Sequence, residues 1–152
     1  MENTIILIRN YLTITHLKKS MKGSYLLVIE MKEQAKIAIG KLGELNFKPG
    51  YYIYVGSALS GLEQRIARHL RSEKKLHWHI DYLLEKSKLI TVYYKKSDNK
   101  EECKIADQVA STLEATPNFG CSDCTCHSHL FYGSKNQAMK AVNSLQMQKY
   151  IY

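Results

Sequence analysis

Residues 23–31 read GSYLLVIEM, a run of Leu, Val and Ile between polar ends that fits a buried β-strand better than any other element. Residues 51–55, YYIYV, repeat the signal with aromatic and β-branched residues between Lys48-Pro49-Gly50, which is turn chemistry, and Gly56, which ends the strand. Side chains alternate along a strand, so Tyr52 and Tyr54 share one face. A third strand is expected over residues 89–94.

Helical periodicity fills the intervals. Residues 62–71 are expected to form a helix behind Ser60 as N-cap, and residues 77–85, HWHIDYLLE, a second. Residues 99–114 place Ile105, Ala106, Val109 and Leu113 on one face. Ser134 with Gln137 has the spacing of a capping box for a last helix that turns Ala138, Ala141, Val142 and Leu145 inward. Residues 33–39 are expected to make a helical turn ending at Gly40, and residues 117–133 an ordered loop. Three strands and four helices give a mixed α/β fold, with the domain over residues 21–133 and the last of the four helices, in residues 134–152, packed on it; residues 1–20 form either an N-terminal extension or an edge element.

The 152 residues suit one compact domain. A formal net charge of +8 favours a polyanionic partner, nucleic acid or an acidic membrane surface. No apolar run is long enough to span a bilayer and no secretory pattern opens the chain, so a cytoplasmic location is expected. In that compartment the four cysteines read as reduced thiols or metal ligands rather than disulfides.

Five groups could carry chemistry. Arg65 and His69 lie four apart on the first helix, with Arg68 and Arg71 beside them; a guanidinium grips a phosphate at two points, although helical arginines are commonly solvated charge. Glu102 precedes Ile105, Ala106 and Val109 by three, four and seven, which turns its carboxylate inward, where an ion partner or a hard cation such as Mg²⁺ would offset burial. Its spacing from Asn99 fits a plain capping box equally well. Tyr25, Tyr52 and Tyr54 sit on strands among eleven tyrosines; a phenol, with a pKa near about 10, needs neighbouring cations to act as a base. His77 and Asp81 are spaced as an imidazole–carboxylate pair. Cys121, Cys124 and Cys126 with His127 and His129 could hold zinc, Cys103 serving as a distant ligand, or could order a loop as reduced thiols.

Taken together, Gly23-Ser24-Tyr25, Tyr54-Val55-Gly56, the stretch YVGSALSGLEQRIARHL, HWHIDYLL and SDCTCHSHLF resemble the GIY-YIG nuclease superfamily, and within it the Uri-type branch, DUF123, over about residues 21–133. The resemblance implies a small three-stranded antiparallel sheet flanked by helices and a metal-dependent endonuclease acting on DNA. It implies Tyr25 and Tyr54 as paired active-site phenols, Arg65 as the phosphate contact, His69 at a position where relatives often have a tyrosine or histidine, and Glu102 as the Mg²⁺ or Mn²⁺ ligand; His69 or His77 is the candidate to assist proton transfer. Arg68, Arg71, Lys74 and Lys75 would bind the nucleic-acid backbone, the protein acting as a monomer or homodimer. Three departures stand out: the long interval over residues 31–49, Ser57 where many relatives carry lysine, and a late asparagine matched only by Asn118 or replaced by the Ser122-Asp123 region. The rivals are a binding module of the same fold that does not cut, and a zinc-stabilised interaction protein.

Overall fold

The computed structural model describes residues 21–121 and 126–152. The expectation for residues 1–20 lies outside them. The strands are β1 (Gly23–Met31), β2 (Ala35–Ala38), β3 (Glu44–Phe47), β4 (Gly50–Ala58), β5 (Lys88–Lys96), β6 (Glu114–Ala115), β7 (Leu130–Gly133) and β8 (Gln148–Lys149). The helices are α1 (Leu62–Leu70), α2 (His79–Glu85), α3 (Glu102–Ala110) and α4 (Lys135–Ser144).

The principal sheet is antiparallel throughout, in the order β6-β7-β4-β1-β5-β8. Strand β1 pairs along its length with β4 on one side and β5 on the other, so the three long strands read from the sequence form the centre. The α+β class stands, but the sheet has six strands rather than three. The additions are short: β6 and β8 have two residues each and β7 four. Strand β7 lies in the interval expected to be loop, where LFYG pairs with residues 51–54 of β4.

Alternation along β1 feeds two cores. Tyr25, Leu27 and Ile29 face Leu62 and Ile66 of α1 and Ile80 and Leu83 of α2. Leu26 and Val28 face Ile105, Ala106 and Val109 of α3 and Ala138, Ala141 and Val142 of α4. The sheet is thus covered on both faces, which is why β1 is apolar almost throughout.

The helices follow local chemistry. Ser134 accepts from the Gln137 amide at 3.2 Å and its own N–H donates to the Gln137 side chain at 2.8 Å, the expected capping box. Ser60 does not cap α1; Gly61 stands there, and the Leu62 N–H donates to the Met21 carbonyl at 2.7 Å. Residues 33–39 do not form a helical turn. Ile37 points inward between exposed Lys36 and Ala38, a period of two, and β2 pairs with β3 as a hairpin around a single 3₁₀ turn, Gly40–Leu42.

Candidate active site

The start of β1 and the ends of β4 and β5 coincide, because Gly23 pairs with Ala58 and with Lys96. Helix α1 departs from β4 here, and α3 follows β5. A hollow of about 1010 Å³ opens at this corner, and Tyr25, Tyr54, Arg65 and Glu102 all line it. Four side chains from distant parts of the sequence therefore face one hollow. The rings of Tyr25 and Tyr54 lie 6.4 Å apart, and Gly56, opposite Tyr25, lacks the side chain that would collide with the Tyr25 ring.

Arg65, on the second turn of α1, donates to the Ser57 carbonyl at 3.1 Å, and its positive charge acts on the Tyr25 phenol. Burial pushes the Tyr25 hydroxyl well above its ordinary range, and Arg65 pulls it back only in part. Tyr54 is raised likewise, by burial first and then by Tyr25 and Glu102.

His69 Nε2 sits 2.8 Å from the Tyr25 hydroxyl. Burial, then Lys74, holds the imidazole down to about 3, so it is neutral. Its Nδ1 is buried with no hydrogen-bond partner among the described residues. A neutral imidazole carries one N–H, so the contact with Tyr25 is a single hydrogen bond between Nε2 and the phenol oxygen, its donor set by the tautomer.

Asp81 is wholly buried and fully engaged. It accepts both Arg68 nitrogens at 2.8 Å and the backbone N–H groups of His77 and Trp78 at 2.9 Å. Burial alone would raise its pKa; the Arg68 fork and the two amides outweigh that and lower it. The expected His77–Asp81 imidazole pair does not form, because His77 precedes the helix and offers its backbone instead. Arg68 is likewise not a loose phosphate clamp. Its guanidinium lies 4.2 Å from the centre of the Trp78 ring, and that of Arg65 lies 4.3 Å from it. Asp81, Arg68, Trp78 and Arg65 form one contiguous stack that ends at the hollow. Lys74 caps α1, its ammonium donating to the Arg68 and His69 carbonyls at 3.1 and 2.9 Å, whereas Arg71 and Lys75 are exposed.

Glu102 stands in the first turn of α3, where the helix dipole favours an anion. It pairs with the Lys100 ammonium at 3.2 Å, and its side chain is 13% exposed. No Asn99 cap forms; the Asn99 N–H turns to Ser97.

The thiols depart from expectation. Cys103 of α3 and Cys126 are joined as a disulfide with Cα atoms 5.8 Å apart, so Cys126 is not a reduced thiol beside Cys121. The fold brings together two cysteines 23 positions apart, a pairing that spacing alone does not reveal. Cys124 lies outside the described residues, and Cys121 Sγ sits 3.5 Å from the Phe119 carbonyl. His129 is buried, with Nδ1 3.0 Å from the Val55 carbonyl, and it borders the same hollow.

Sequence reasoning gave no role to Trp78, Lys100 or His79, whose Nδ1 accepts the Gly120 N–H at 2.9 Å. The single tryptophan set between two histidines was the available signal.

Among the described residues no helix is long and apolar enough to cross a membrane. No curated protein and no solved structure matches the chain. One family model does match, Domain of unknown function DUF123, and it covers residues 24–151. The chain belongs to the DUF123 family.

Proposed function

We propose that this domain is a GIY-YIG-type endonuclease that hydrolyses phosphodiester bonds in DNA. The observation that carries the reading is the convergence of two phenols, a guanidinium and a carboxylate on one hollow of a basic protein. A scissile phosphate there would meet Arg65, pre-aimed by its bond to Ser57 and its stack on Trp78, so charge growing on the phosphate meets a fixed cation. Tyr25 would orient or deprotonate the attacking water. Arg65 favours the phenolate against the burial that opposes it, and His69 Nε2 holds the hydroxyl in place.

Glu102 fits a hard divalent ion: it is an oxygen donor facing the hollow, and its partner Lys100 is half exposed in a pair worth about 0–1 kcal/mol, which an ion would displace readily. Mg²⁺ or Mn²⁺ bound there with substrate oxygens would supply Lewis-acid polarisation of the phosphate. A single carboxylate makes a weak site, so binding together with DNA is expected.

The test is nicking of branched, damaged and single-stranded DNA with divalent metal present. Arg65→Ala and Glu102→Gln should each cut the rate by about 10²–10³ or more while circular dichroism stays that of the parent. Turnover unchanged in either variant removes that residue from the mechanism. A parent that binds DNA yet never nicks it would leave a binding module of the same fold.

A further inference from the structure

We propose that Cys103, Cys126 and His129 form a zinc site in the reduced protein, and that closing the Cys103–Cys126 disulfide expels the ion. One ligand atom from each of the three lies within 4.8 Å of the others. Two thiolates on a tetrahedral zinc stand roughly 3.8 Å apart, given Zn–S bonds of about 2.3 Å, so the thiols need separate only modestly once reduced. The inference does not depend on the nuclease reading. The soft donor set also distinguishes the site from the hard carboxylate of Glu102.

His129 is set up for this role. A carbonyl can only accept, so the 3.0 Å contact with Val55 puts the imidazole proton on Nδ1 and makes Nε2 the nitrogen that carries the lone pair. Such a backbone contact is what fixes the tautomer of a metal-bound histidine. The residue is held by its main chain too: its N–H donates to Phe119 and its carbonyl accepts from Val55, both at 2.9 Å. Cys126 and His129 approach from one segment, at Cys-x-x-His spacing, and Cys103 from the first turn of α3. The fourth tetrahedral position falls to a water or a further side chain.

The exchange balances. Zinc binding releases the two thiol protons. Hydrogen peroxide then takes one electron from each thiolate; the two Zn–S bonds break, one S–S bond forms, and the peroxide leaves as two waters after collecting two protons from solvent.

The experiment uses the full chain purified under reductant without chelator. Atomic emission should find about one zinc per chain. Peroxide should release that zinc to a chromogenic chelator with two thiols lost per ion. Cys103→Ser and His129→Gln should each lower zinc affinity by at least about tenfold. Cobalt in place of zinc should give the visible absorption of a tetrahedral thiolate site in the parent, so the outcome stands even where a variant folds poorly. Folded, fully reduced parent that takes up neither metal overturns the proposal. So does zinc retained after mass spectrometry shows the disulfide closed, or zinc binding indifferent to both substitutions.

Discussion

Tyr25 and Gly56 face each other across the β1–β4 ladder, and the phenol of Tyr25 occupies the space that a side chain at position 56 would need. The glycine of the YVG motif thus acts through its partner: it lets the ring lie flat across the neighbouring strand and reach His69. Gly56→Ala should swing the phenol away, slowing cleavage by about 10² or more and destabilising the fold by about 1–3 kcal/mol. Nicking rates and thermal melts of this variant beside Ser57→Ala would check it. A Gly56→Ala protein with parental rate and midpoint defeats the idea.

Asp81 should be a stability determinant rather than a proton carrier. Asp81→Asn keeps the shape but strands the Arg68 guanidinium and weakens acceptance from His77 and Trp78. Breaking a buried pair from one side typically costs about 3–5 kcal/mol. Urea denaturation reads this directly, and a loss below about 1 kcal/mol would show that the pair is dispensable.

His69 sets a pH signature. Its folded pKa, about 3, lies below its ordinary 6.5, so between those values the unfolded chain binds the extra proton. Stability therefore rises with pH across that window and falls as pH drops from about 6.5 toward 3. The Asp81 contribution, also lost on acidification, falls away only below its ordinary 3.8, which leaves pH 4–6.5 for histidines. His79, lowered by burial, adds a slope of the same sign. His69→Phe should flatten the dependence in that interval without abolishing it. Identical slopes for parent and variant would mean that His69 does not stay neutral.

DNA affinity should fall steeply with salt. Six or more phosphate contacts would cost about 10³-fold between about 50 and 200 mM salt. Arg71→Ala and Lys75→Ala, both at exposed cations, should weaken binding evenly across sequences and each reduce the salt slope by about one. Fluorescence anisotropy measures both, and a flat salt response rules out backbone-led binding.

The centre of the fold was legible in the chain because β1 and β4 carry unbroken apolar signals and Ser134–Gln137 carries a local cap. The meeting of Tyr25 with Arg65 and Glu102 was foreseeable only through resemblance, since strand register and helix placement are long-range properties. Among the local readings that failed, several did so for identifiable reasons. The i, i+4 rule assigned His77 to Asp81, yet the helix begins at His79, so the rule does not apply. Residues 35–38 contain good helix formers, but pairing with β3 overrides propensity. In LFYG, the nearby cysteines and histidines drew attention from a four-residue strand that pairs with β4.

Strand β1 is bonded on both sides and covered on both faces, so it should open only when the whole molecule opens. Tyr25 rides on that strand, whereas Glu102 belongs to the outermost turn of a nine-residue helix. Opening of that turn, which the Cys103–Cys126 disulfide tethers, would displace the carboxylate and leave the phenol in place. In the proposed nuclease a copy so opened would lose its metal ligand before its phenol.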